Sequence, residues 1–184
     1  MQSRGITLLE LLVSIAVMGI MAATAIPPFT NFIKDSRQSS SLINLRSDLY
    51  LARSTAIRYY RHVVACPSNS DNSNCSGSPD WENGWMVFVD VNKNGECNSI
   101  NGICEDNGKV IKVGKAITAT DLKLRGYRHR GYKIRYDPEG FSYAFNGSII
   151  ACDSRGVEKA RGLVISNTGR VRSTDEDDDL RCER

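Results

Sequence analysis

The chain has 184 residues, of which 41% are hydrophobic and 24% charged, fractions ordinary for a globular protein. That length supports one domain with its own core, or a long helix and one small domain, and no more. The net charge of +3 hides an asymmetry: residues 109–172 carry 14 Lys/Arg against 5 Asp/Glu, a net +9, whereas residues 173–184 carry 2 against 6, a net −4. A basic region followed by an acidic tail points to a polyanionic partner and to something that tunes access to it.

Residues 1–5 are short and basic through Arg4, and residues 6–26 are almost wholly apolar. As a helix the apolar stretch reaches about 30 Å, the thickness of a bilayer's hydrocarbon core. It contains one charge, Glu10. A carboxylate in such a span costs roughly 2.5–3.5 kcal/mol and is functional by default. Cleavage between Gly5 and Ile6 would give Ile6 an α-amine and make Glu10 the fifth residue. Glu10 of one subunit can then meet the Ile6 amine of its neighbour inside an apolar bundle, which removes two isolated charges and sets axial register. A secretory signal cut near Ala23-Thr24-Ala25 would carry too long an apolar region and would have no use for Glu10. A plain membrane anchor meets the same objection.

After Pro27 and Pro28 helical periodicity resumes. Leu42, Leu45, Leu49, Ala52, Ala56 and Tyr60 form one face of an amphipathic helix, predicted over about residues 29–62 and packed on a sheet. Short β-like runs follow at 63–66, 84–91, 109–113, 122–124, 132–136, 141–145, 149–152 and 162–166, the last pairing with 170–172 across Asn167-Thr168-Gly169. This spacing predicts an antiparallel sheet or two small sheets. Trp85 opens an apolar run and is read as core. Asp90-x-Asn92-x-Asn94-Gly95 resembles the start of a calcium loop, but its twelfth position is Asn101 where a bidentate glutamate is needed, so it reads as a turn between strands.

Six cysteines behind an export signal read as disulfides. Pairing of Cys66 with Cys75 and of Cys97 with Cys104 would leave Cys152 for Cys182, one of about 15 connectivities open to six cysteines. There is no CxxC, and His62 and His129 are the only imidazoles, so neither a metal site nor a cofactor is expected. No Ser/His/Asp or Cys/His arrangement points to an enzyme.

Arg170 and Arg172, two apart on an extended strand, share a face beside Gly169. Arg125, Arg128, Arg130, Lys133 and Arg135, with Tyr127 and Tyr132 interleaved, lie nearby in sequence. Guanidinium forks and interleaved aromatics suit a nucleic-acid backbone read without base specificity. A solvated basic face, or arginines paired with acids on another subunit, is the plainer reading.

The run Arg4-Gly5-Ile6-Thr7-Leu8-Leu9-Glu10-Leu11-Leu12 resembles the prepilin peptidase motif of type IV pilins and pseudopilins, with Ile6 where the family usually has phenylalanine. Residues 52–57, Cys66-Pro67-Ser68, residues 84–90 and Gly169-Arg170-Val171-Arg172 are similar to the FimT/GspH-like branch. The resemblance implies an α+β pilin-like fold: a leader (1–5), a transmembrane and filament-packing helix (6–28), and a periplasmic head (29–184) of amphipathic helix, β-rich region (63–172) and acidic tail (173–184). It also implies processing by a prepilin peptidase with N-methylation, anchorage in the inner membrane and assembly with other pilins. On the Gly-Arg-x-Arg motif it implies contact with double-stranded DNA in natural transformation. A type II secretion pseudopilin is the alternative.

Overall fold

The structure, a computed structural model, describes residues 7–127, 132–175, 177–178 and 180–182, and of residues 22–28 the backbone alone. Gly5, Ile6, Arg128 and Arg130 therefore lie outside the described residues. One α-helix, α1, spans Leu8–Tyr59, and its backbone stays helical through Pro27 and Pro28. Thr7 caps it. Its Oγ1 accepts the Glu10 backbone N–H at 3.3 Å, and its carbonyl accepts the Leu11 N–H at 3.2 Å. Thr-x-x-Glu is the spacing of a capping box, and an acid in the first turn suits the positive end of the helix dipole.

The chain divides into two compact units, Met1–Arg37 and Gln38–Arg184. In the first, Leu8, Leu9, Leu11, Leu12, Val13, Ile15, Val17, Met18, Ile20 and Met21 are all exposed. Glu10 and Ser14, one turn apart, are the only polar side chains among residues 8–21, the pattern of a helix whose proper surroundings are largely apolar. Among the described residues no helix is long and apolar enough to cross a membrane. Residues 7–21, whose side chains are described, reach only about 22 Å.

The second unit is a helix laid on two antiparallel sheets. The strands are β1 (His62–Pro67), β2 (Trp85–Asp90), β3 (Val110–Gly114), β4 (Lys123–Tyr127), β5 (Ile134–Tyr136), β6 (Gly147–Cys152), β7 (Arg161–Ile165) and β8 (Val171–Ser173). Sheet order is β3-β2-β1-β5 and β4-β6-β7-β8, four strands each. Leu42, Leu45, Leu49, Ala52 and Ala56 of α1 are buried against inward residues of both sheets: Val63, Ala65, Trp85 and Val87 from the first, Leu124, Ile149, Ala151, Leu163, Ile165 and Val171 from the second. Gln38, fully buried, closes the start of this face by donating Nε2–H bonds to the Ala151 carbonyl (2.8 Å) and the Lys159 carbonyl (3.1 Å). Trp85 lies in this core with its indole N–H donated to Asp48 at 2.9 Å.

Strand alternation gives the first sheet a second apolar face. Val64, Cys66, Met86 and Phe88 point away from the helix and pack with Cys97 and Cys104. Disulfides join Cys66 to Cys75, Cys97 to Cys104 and Cys152 to Cys182. The first two staple the long connection around β2 over this face, so a segment with little regular structure still buries apolar surface.

Three sequence expectations are corrected. Residues 141–145 form turns, not a strand. The Asp137 carboxylate accepts the Glu139 and Phe141 N–H groups at 3.1 and 2.8 Å, and Ala144 takes φ +59°, so local bonds use the backbone groups a ladder would need. Tyr60 leaves the apolar face: α1 stops at Tyr59, Tyr60 adopts φ +51°, and Arg61 N–H closes back onto the Ala56 carbonyl at 3.1 Å. That is the six-to-one bond of a Schellman ending, with tyrosine where glycine is usual. Only Ile134–Tyr136 of the run 132–136 is strand, since Tyr132 turns to φ +57°. The 90–95 segment is a turn held by carboxylates: Asp90 accepts the Gly95 N–H at 3.0 Å, and Asp106 accepts those of Val91 (2.7 Å) and Asn92 (3.1 Å). Among the described residues no three His, Cys, Asp or Glu side chains gather as metal ligands.

Candidate functional site

The Gly-Arg-x-Arg motif forms the β7–β8 turn. Ser166 N–H donates to the Arg170 carbonyl at 3.0 Å, and Gly169 N–H donates to the Ser166 carbonyl at 2.9 Å. Gly169 sits at φ +72°, and a Cβ there would come within 2.0 Å of the Gly140 carbonyl oxygen. Only glycine fits, for conformation and for space. Arg53 of α1 locks the junction: its Nε donates to the Gly140 carbonyl and its Nη2 to the Thr168 carbonyl, both at 2.9 Å. One turn back, Tyr50 donates its hydroxyl to the Val171 carbonyl at 2.9 Å, and the Arg46 Nε–H and Nη2–H reach that hydroxyl at 3.1 and 3.0 Å. Arg46, Tyr50 and Arg53 follow helical spacing on the flank of the apolar face. Sequence reasoning gave none of the three a role; their helical spacing places them on one side of α1 but says nothing of their partners.

Val171 points into the core, so Arg170 and Arg172 both point out, as the alternation predicts. Their surroundings differ. Arg170 is exposed and its guanidinium makes no ion pair among the described residues. Arg172 forks onto Asp178 through Nη1 (2.6 Å) and Nη2 (2.8 Å), and its Nη1 also meets Asp175 at 3.0 Å. Hydrogen bonding from Arg172 holds the Asp178 carboxyl down at about 2 and raises the Arg172 guanidinium. The other described cations singled out in the sequence, Arg125, Lys133 and Arg135, are engaged elsewhere. Arg125 pairs with Asp80 at 2.6 Å and Lys133 with Glu96 at 4.0 Å, while Arg135 stacks over Phe145 at 4.3 Å and donates to the Lys93 carbonyl. Nor do they converge. Arg125 on β4 and Arg172 on β8 occupy opposite edges of one sheet, three strand spacings or about 14 Å apart, and Lys133 adjoins β5 of the other sheet.

On the outer face of the second sheet one row runs Tyr127–Ser148–Val164–Arg172 and the next Arg125–Ile150–Gly162. The acidic tail crosses this face. It is held at one side by Arg172 and at the other by the Cys152–Cys182 disulfide and a bond from the Tyr127 hydroxyl to the Arg181 carbonyl at 3.1 Å. Ile150 is only 1% exposed although it points away from the helix. A cavity of about 280 Å³ lies here, lined by Tyr127, Ser148, Ile150, Val164, Asp178 and Arg181 among others.

An apolar, Thr-capped N-terminal helix that continues into a helix-on-sheets head with disulfide-stapled loops defines a type IV pilin-like protein, of the minor pilin or pseudopilin class. The prokaryotic N-terminal methylation motif matches residues 1–26. The family described as Type II transport protein GspH matches residues 43–169, and the chain belongs to it. Among relatives, the type IV major pilin protein PilE1 of Neisseria gonorrhoeae is 26% identical over 172 residues, 94% of this chain and 69% of the relative. A fimbrial protein of Neisseria meningitidis is 29% identical over 92 residues, 50% of this chain, and the match spans only about half, 51%, of that relative's length. The crystal structure of the type IV minor pilin FimU of Pseudomonas aeruginosa superposes with a TM-score of 0.57 over 78% of this chain and 92% of the other. At 18% identity that likeness speaks for the fold.

Proposed function

We propose that the protein is a minor pilin. The leader, residues 1–5, is removed between Gly5 and Ile6 by a prepilin peptidase. The apolar helix holds the subunit in the inner membrane as a single pass with its head in the periplasm, and then packs among other pilins in a filament. The observation that carries this reading is the apolar surface of residues 8–21, whose single charge is Glu10 and which needs lipid or neighbouring helices to cover it. The test is Glu10→Ala followed through membrane and sheared-filament fractions. Insertion is retained, because the span becomes more apolar, while recovery in filaments falls. Normal recovery would refute the pairing role. Deletion of the gene, scored for piliation, transformation and protein secretion together, places the subunit in its apparatus; lost secretion with intact pili would assign it to a type II system, the alternative the family name favours.

A second reading, contact with double-stranded DNA, is favoured by the exposed Arg170, without an ion pair among the described residues, on a glycine-built turn within the +9 stretch. Such contact is made through phosphates, is weak and is indifferent to sequence. Its affinity falls with salt, with a log–log slope of roughly −0.9 per phosphate neutralised. Arg170→Gln weakens binding to all sequences alike. Failure of the full chain and of tail-neutralised variants to bind duplex DNA at low salt would remove this reading and leave the structural one.

A further inference from the structure

The tail lies across the outer face of the β4-β6-β7-β8 sheet, fixed at both sides of that face. Its carboxylates meet Arg172 in the two-pronged geometry that a phosphate would adopt. Asp178 is itself held in place, because its Oδ2 also accepts the Asp175 backbone N–H at 2.7 Å. The loop from Cys152 to Cys182 keeps these carboxylates at high local concentration beside the arginine. Asp177, in the same tail, is exposed and contributes no bond to Arg172.

We infer that the acidic tail is a disulfide-anchored strap whose described residues, 175, 177–178 and 180–182, act as an intramolecular ligand, occupying Arg172 at one end of the Tyr127–Ser148–Val164–Arg172 row and meeting Tyr127 at the other, so that an external phosphate polymer must displace Asp175 and Asp178 to bind there. The inference rests on the polyanion-contact reading above and adds its regulation. Arg170 offers the open first contact, and Arg172 becomes available once the strap lifts. A weak wild-type interaction is then a property of the strap, not of a missing cation.

The experiment uses the full chain in detergent micelles, with a 30-base-pair duplex and inorganic polyphosphate as separate probes, read by fluorescence anisotropy and by competition at low salt. Asp175→Asn with Asp178→Asn raises affinity for both probes by roughly three- to tenfold, the scale of one charge-assisted pair. Asp177→Asn, which removes charge from the same tail without freeing Arg172, changes affinity less than twofold. In an Arg172→Gln background the Asp175/Asp178 substitutions give no gain. Amide exchange at Asp175 speeds up in Asp178→Asn, an opening of the strap read without any ligand. An equal gain from Asp177→Asn, or a gain that survives Arg172→Gln, overturns the strap while leaving DNA contact in place. If polyphosphate follows the expected pattern and no variant binds DNA, the strap stands and the DNA reading falls. If no variant binds either probe, both fall.

Discussion

Replacing Gly169 by alanine tests the claim that the Gly-Arg-x-Arg turn is built by close packing and not by charge. The residue holds φ +72°, where an L side chain costs roughly 1–2 kcal/mol. The new Cβ would also lie 2.0 Å from the Gly140 oxygen and 3.1 Å from Arg53 Nε. One of these groups must move, and Arg53 then loses its 2.9 Å bond to Gly140, its bond to Thr168, or both. A hydrogen bond from a charged donor is worth about 1.5–3 kcal/mol. With one of the two bonds lost the combined cost is about 3–5 kcal/mol, a large part of the roughly 5–15 kcal/mol that holds a domain together. Gly77 supplies the control: it takes φ +71° but has nothing within 4 Å of an added Cβ, so Gly77→Ala should cost only the backbone strain. The assay is urea unfolding of the purified full chain followed by tryptophan fluorescence, since Trp81 and Trp85 are both buried in the head. Equal losses for the two alanine variants would refute the argument that Gly140 and Arg53 define the turn.

Three further predictions use the same structure. Arg53→Lys should cost about 1–2 kcal/mol in the same urea assay, because one ammonium cannot span the Gly140 and Thr168 carbonyls as a guanidinium does. Replacing Cys152 and Cys182 together by serine should lower stability by roughly 3–4 kcal/mol through the lost 30-residue closure, and mass spectrometry after alkylation without reduction should find no free thiol in the parent protein. The Asp178 carboxyl lies below its ordinary value of 3.8, at about 2, so the Arg172 contact is fully present above the ordinary value and is lost as pH falls through about 2. Carboxyl-carbon NMR should therefore show Asp178 still ionised at pH 3, and an ordinary midpoint near 3.8 would refute the docked tail.

Much of the protein is legible in the residue order because the signals are periodic and local. The face Leu42, Leu45, Leu49, Ala52, Ala56 repeats with the helical turn and is buried as that repeat predicts. Apolar β-like runs mark β1, β2, β6 and β7 to within about two residues at each end, the usual reach of boundary assignment. The N-terminal stretch declares its apolar surroundings by composition alone. The reading fails at residues 141–145, whose aromatic pattern looks extended but whose N–H groups go elsewhere: Phe141 to the Asp137 carboxylate, Phe145 to the Ser142 carbonyl and Ser142 to the Asn167 carbonyl of the β7–β8 turn.

The site depended on contacts far apart in sequence. Nothing local in Arg53 announces that it will span the carbonyls of Gly140 and Thr168, 87 and 115 residues away. Arg125 and Arg172 look equivalent in a basic run, yet pairing with Asp80 makes one a clasp between β4 and the segment that leads into β2, while the acidic tail claims the other. Ile150 alternates outward from the helix, yet it is only 1% exposed, on the face to which the Cys152–Cys182 disulfide returns the tail. Period and composition determine which face of an element is apolar, because those are properties of consecutive residues. Which charge meets which counter-charge is settled only when the sheet brings distant segments within a few ångströms, because an ion pair is decided by distance in space and not by separation along the chain.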